Sequence, residues 1–133
     1  MMTKEELLQY RAKCRELQQI RNKIQEIRSD ARSAKAICYQ DEPKSRGEPV
    51  AAVQSYIEKL EVLSDLYEQQ AKALVEATIA VERALASLPP ELRTLMRYRY
   101  IDGLKWETIN DLLYLSAPTS KRMHRRALAV LQK

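Results

Sequence analysis

The sequence predicts an all-α fold: a long antiparallel helical hairpin of coiled-coil character, followed by a small C-terminal helix-turn-helix domain. Three observations lead there. The 133 residues are rich in Ala, Leu, Glu, Gln, Lys and Arg, with two glycines and no phenylalanine, a composition that favours long helices. Two stretches of about 40 residues repeat apolar side chains at steps of three and four, the spacing of one helix face. The prolines and glycines fall only where such helices must start or stop.

The first helix is expected from Thr3 to about Tyr39. Thr3 followed three residues later by Glu6 is a capping-box pattern. Its stripe runs through Leu7, Tyr10, Cys14, Leu17, Ile20, Ile24, Ile27, Ala31, Ala34 and Cys38. Residues 40–49 gather two prolines and a glycine and read as a loop. A second helix follows to Leu88, where Pro89-Pro90 stops it. Its steps alternate four and three through Val53, Ile57, Leu60, Ser64, Tyr67, Ala71, Leu74, Thr78, Val81, Leu85 and Leu88, a heptad seam. Leu63, Leu66 and Ile79 widen that seam beyond what one partner helix covers. Equal lengths of about 55 to 60 Å at 1.5 Å per residue argue for an antiparallel pair. The surplus apolar surface argues for a homo-oligomer formed through residues 1–88. Cys14 and Cys38 read as small packed thiols, since a disulfide is not expected in a reducing cytoplasm.

Residues 89–133 are expected to form the separate small domain. Pro89-Pro90 opens a helix with an apolar face at Leu92, Leu95, Met96 and Tyr100, ended by Gly103. A short helix from Lys105 to Leu113 puts Trp106, Ile109 and Leu113 on one side. Tyr114-Leu115-Ser116 is a tight connection, and Ser116 is a good N-cap for a last helix. There Met123, Ala127, Val130 and Leu131 are expected to face inward. Trp106 reads as core and His124 as a packed residue at the domain boundary. Tyr98 and Tyr100 alternate with Arg97 and Arg99 but splay over different helix faces, against a role as a stacking platform for single strands.

The net charge of +5 is concentrated in this domain. Residues 1–88 carry 14 basic and 14 acidic side chains; residues 89–133 carry nine against four. From Ser116 onward there are five basic residues and no acid. A positive field confined to one terminal helix is the footprint of a phosphate-backbone binder. Pro118, Lys121, Arg122 and Arg125 share its outer stripe, with Arg126 a turn beyond Arg122. Ser116 and Thr119 sit at its N-terminal end, where such a helix meets base edges. Ser116, Pro118, Thr119, Lys121, Arg122, Arg125 and Arg126 are therefore the candidate contacts to double-stranded DNA.

The run Leu88-Pro89-Pro90-Glu91-Leu92-Arg93, then Tyr98-Arg99-Tyr100-Ile101-Asp102-Gly103-Leu104 with Glu107, Ile109, Leu113 and Ser116, resembles the C-terminal helix-turn-helix of bacterial sigma factors. Trp106 together with Arg122-Met123-His124-Arg125-Arg126-Ala127-Leu128 resembles small phage regulators of the RinA and ArpU type. The sequence departs from the pattern at Tyr114, where the turn usually holds Gly, at Ser120, where an aliphatic residue is customary, and at Asn110-Asp111 in the second helix. The resemblance implies a transcriptional regulator, an activator of phage or prophage genes, with RNA polymerase as a candidate partner.

No nucleophile-base pair, carboxylate pair or phosphate loop is visible, so an enzyme is not expected. No cofactor is implied, and one histidine with two isolated cysteines gives a metal site almost nothing to use. No apolar run approaches the roughly 20 residues needed to cross a bilayer, and the polar start has no signal core, so a cytoplasmic, nucleoid-associated protein is expected. Two other functions compete. A small-terminase-like packaging protein also joins a helix-turn-helix to an oligomerising arm, commonly with the DNA module first. A scaffold or inhibitor would act through the hairpin alone.

Overall fold

The computed structural model describes residues 2–40 and 48–133, with side chains described outside residues 34–50. Among the described residues five α-helices follow in order: α1 (Lys4–Gln40), α2 (Glu48–Leu85), α3 (Pro90–Met96), α4 (Trp106–Leu113) and α5 (Ala117–Leu131). A π turn, Arg97–Ile101, continues α3. No strand occurs among the described residues. Most of the loop expected at 40–49, and the side chain of Cys38, lie outside them. The chain divides into two compact units, one of Met1–Cys14 with Ala73–Lys133 and one of Arg15–Lys72.

The first unit draws on both long helices. Thr3 caps α1 as its sequence predicts, its Oγ1 accepting from the Glu6 amide at 3.2 Å. Tyr10 meets Thr78 of α2 hydroxyl to hydroxyl at 2.9 Å. One core holds Leu7, Tyr10, Val81, Leu85 and Leu88 from the long helices and their end, with Leu92, Met96, Tyr100, Ala127 and Leu131 from the short ones. The first turns of α1 are thus built into the helix-turn-helix core, and Met2 adds a backbone bond to the Leu131 carbonyl at 3.0 Å. Each fully buried Leu here contributes about 1.5 to 3 kcal/mol through removal from water.

Two elements differ from the sequence expectation. The second helix ends at Leu85, three residues early. Ser87 and Leu88 bond back to Ala84 and Leu85 at 3.3 and 3.0 Å, a tightened turn that precedes the prolines and still buries Leu88. Arg93 then covers this helix end, donating to the carbonyls of Leu88 at 3.0 Å and Ala86 at 3.4 Å. The second difference is the π turn, where the Asp102 amide bonds five residues back to Arg97. The extra residue turns Tyr100 into the core, and Arg11 of α1 donates to the carbonyls of Tyr100 and Ile101 at 3.4 Å. Gly103 follows at φ +71°, and a Cβ there would collide with the Arg11 guanidinium. The backbone at this turn favours glycine, and any Cβ would also displace the Arg11 guanidinium.

The second unit is thinner. Among its described residues, Ile24 and Ile27 are the buried apolar ones. Arg21, Ile24, Gln25 and Arg28 of α1 line a cavity with Ser64, Tyr67 and Glu68 of α2. Ile57, expected on the seam, is 39% exposed, and Val62 and Leu66 are also exposed.

Candidate nucleic-acid interface

Helices α4 and α5 are joined by a turn whose backbone explains its sequence. Tyr114 takes φ 55°, ψ 45°, the left-handed conformation usually left to glycine. Its side chain is 95% exposed, so the strain lies in the backbone alone. The amides of Tyr114 and Leu115 both reach the Asn110 carbonyl, closing α4. Ser116 then caps α5: its Oγ accepts from the Thr119 amide at 3.3 Å and pairs with the Thr119 hydroxyl at 2.7 Å. Pro118 occupies the first turn, where no amide is needed.

Helix α5 buries Ser120, Ala127 and Leu131. Ser120 is accommodated because its hydroxyl donates to the Ala117 carbonyl at 3.1 Å. Val130, expected to face inward, is 38% exposed; at 3.6 residues per turn it stands roughly a quarter-turn off the line of Ala127 and Leu131.

On the opposite side, Pro118, Lys121, Arg122 and Arg125 line one groove together with Ala117. Arg126 is exposed on the flank of this stripe away from Lys121. Ser116 is exposed, but its hydroxyl is engaged in the cap. Thr119 is half-buried and lines a different cavity with Pro90, Glu91, Thr94, Leu113, Leu115 and Met123. The seven candidates therefore separate into an outward stripe of cations with Pro118, and a Ser116–Thr119 pair that holds the helix start. No acidic residue follows Asp111 in the chain, so the field of α5 is uniformly positive.

Behind this stripe lies an aromatic cluster. The Tyr100 hydroxyl and His124 Nε2 are 2.8 Å apart, and the two rings stack with centroids at 5.8 Å. Trp106 meets the His124 ring edge-on at 4.9 Å, and the Arg99 guanidinium lies over Trp106 at 5.1 Å. Arg99 is held in turn by a bond to the Leu104 carbonyl at 3.0 Å. Burial, reinforced by the positive charges of Lys4 and Arg99, pushes His124 down to about 4. At neutral pH it is an uncharged packing residue between α5 and the rest of the unit. Burial also raises Tyr100 above the usual tyrosine value. Trp106 is half-buried, a wedge between Arg99 and His124, whereas Ile109 is fully enclosed. Tyr98 and Tyr100 do face differently, the first half-buried and the second in the core.

Sequence reasoning missed Lys4, which lines a cavity with Trp106, Lys121, His124 and Arg125. Nothing local to Lys4 signals this, because the packing of Leu7 and Tyr10 brings it there. Among the described residues no group of three or more His, Cys, Asp or Glu is placed to hold a metal, and no helix is long and apolar enough to cross a membrane.

No curated protein and no solved structure gives a significant match to the chain. Residues 78–131 match the family model described as Sigma-70, region 4. The match begins at Thr78, inside α2, so it takes in the last two turns of that helix, within the first unit. The C-terminal part of this chain is thus similar to sigma region 4, a helix-turn-helix domain.

Proposed function

We propose that the protein is a sequence-specific regulator of transcription that binds double-stranded DNA through α5, activates phage or prophage genes and catalyses no reaction. The observation that carries this reading is the outward stripe of Lys121, Arg122 and Arg125 on a sigma-region-4-like domain, with no acid anywhere on α5. Arg122 lies near the N-terminal half of the helix, where a side chain enters the major groove and a guanidinium makes two bonds to guanine. Lys121, Arg125 and Arg126 neutralise phosphates, while Ser116 and Thr119 fix the start of the helix. The phage assignment is supported by the resemblance of Trp106 and residues 122–128 to regulators of the RinA and ArpU type. A homo-oligomer formed through the hairpin would present two such helices to one site, and RNA polymerase is the partner an activator would recruit. Such a protein works in the bacterial cytoplasm, at the nucleoid.

The test is a binding selection from random duplexes, with the subunit count of the complex measured alongside. Enrichment of one motif, repeated at a spacing of about 10 base pairs or a multiple of it, is the expected result. Binding without any enriched motif, in a ring of eight or more subunits, contradicts the proposal and favours DNA packaging.

A further inference from the structure

We infer that the start of α1 is part of the DNA-binding surface, with Lys4 joining Lys121 and Arg125 on the phosphate backbone beside the groove of α5. The inference rests on the DNA-binding reading of α5. The three cations line one cavity of about 420 Å³, walled by Trp106, His124 and Leu128, and no acidic side chain lines it. Among the described residues none of the three is in an ion pair. Like charges gathered around one space repel unless an anion enters it.

The position of Lys4 is firmly set. Leu7, one turn on, is fully buried, Thr3 caps the helix, and the Met2 amide bonds the carbonyl of Leu131 at 3.0 Å. Lys4 itself is exposed. Glu5 and Glu6, in the same turn, do not line the cavity. What identifies the anion as the DNA backbone is continuity: Ala117, Lys121 and Arg125 line both this cavity and the outward groove of α5. A duplex lying along Pro118, Arg122 and Arg125 places its sugar-phosphate edge at the cavity mouth. A free inorganic anion shares the same chemistry, and the experiment distinguishes the two.

The full-length protein supplies the readouts. Lys4→Gln, Lys4→Arg, Lys121→Gln and Arg125→Gln are titrated with the selected duplex and a scrambled one at several salt concentrations. Emission of Trp106, the only tryptophan in the chain, reports the cavity directly. Lys4→Gln should weaken both duplexes by the same factor and reduce the slope of log affinity against log salt by about 0.9 per site. Lys4→Arg should keep the slope, and the helicity and melting temperature of both Lys4 variants should match the parent. Duplex should change Trp106 emission, and inorganic phosphate at equal ionic strength should not. If Lys4→Gln binds like the parent while the Lys121 and Arg125 variants lose affinity and slope, this inference fails and the α5 reading survives. If all three glutamine variants bind like the parent, the α5 reading fails with it. A response of Trp106 to phosphate and none to duplex makes the cavity a free-anion site and overturns the inference.

Discussion

The two compact units are built from the same two helices yet are packed differently. In the first, the start of α1 and the end of α2 join α3, the π turn and α5 around ten mutually packed buried residues, and Arg11 and Arg93 donate to the carbonyls of the turns. In the second, the same pair of helices encloses Ile24 and Ile27 and leaves Ile57, Val62 and Leu66 open to water. Two helices have too little common surface to bury a wide stripe, whereas short helices laid across their ends add a second layer. The first unit can hold a binding surface rigid by its own packing. The second has apolar surface that a copy of the chain would cover, which is our proposal for how it assembles.

The largest expected effect separates the two directly. Leu7→Ala opens a hole in the core beneath α5 and should cost about 2 to 5 kcal/mol in denaturant unfolding of the full chain, with DNA binding lost together with stability. Ile57→Ala, at a half-open position of the second unit, should cost less than about 1 kcal/mol. Equal losses would erase the contrast. The second unit is probed next by Val62→Lys combined with Leu66→Lys. Sedimentation of this variant at micromolar concentration should show a monomer where the parent is larger, with helicity kept. A parent that sediments as a monomer contradicts the assembly proposal.

Smaller effects lie in the first unit. Tyr114→Gly removes a left-handed non-glycine residue from the turn before α5 and should raise stability by about 0.5 to 1 kcal/mol. A destabilised variant would mean that the exposed ring makes a contact that matters. A pH-dependent effect concerns His124. Its folded value is about 4 against 6.5 when unfolded, so between these values the unfolded chain takes up the proton first. Stability should therefore fall as pH drops from 6.5 towards 4 and be fully kept above 6.5. His124→Gln, which removes the only histidine, should flatten that slope relative to the parent in urea titrations across this range. Identical slopes would place His124 in water.

The sequence carried the elements further than their assembly. Steps of three and four gave both long helices, Thr3 and Ser116 their starts, and Gly103 the turn after Tyr100, because each is a local preference expressed by neighbouring residues. The outward stripe of α5 was legible for the same reason. Spacing alone did not show that Thr119 pairs with Ser116 and lines a cavity shared with residues of α3. The π turn at Arg97–Ile101 left no periodic signal, and Arg93 and Arg11 act on carbonyls whose exposure depends on how helices end. Least legible was the contribution of α1 to the helix-turn-helix core. Leu7 and Tyr10 belong to an unbroken stripe, and nothing in that stripe says that its first turns join a core with Leu92, Tyr100 and Leu131.

The central claim is that α5 reads DNA with its outward stripe, and one competition titration addresses it most directly. Arg122→Ala and Arg126→Ala are compared with the parent on the selected and scrambled duplexes over a range of salt. Arg122→Ala should cost about 1 to 3 kcal/mol on the selected site, relax one base position and change the scrambled duplex little. Arg126→Ala should weaken both duplexes equally and lower the salt slope by about one per site. If Arg122→Ala and Arg126→Ala both leave binding to both duplexes unchanged, the outward stripe of α5 is not the DNA-binding surface.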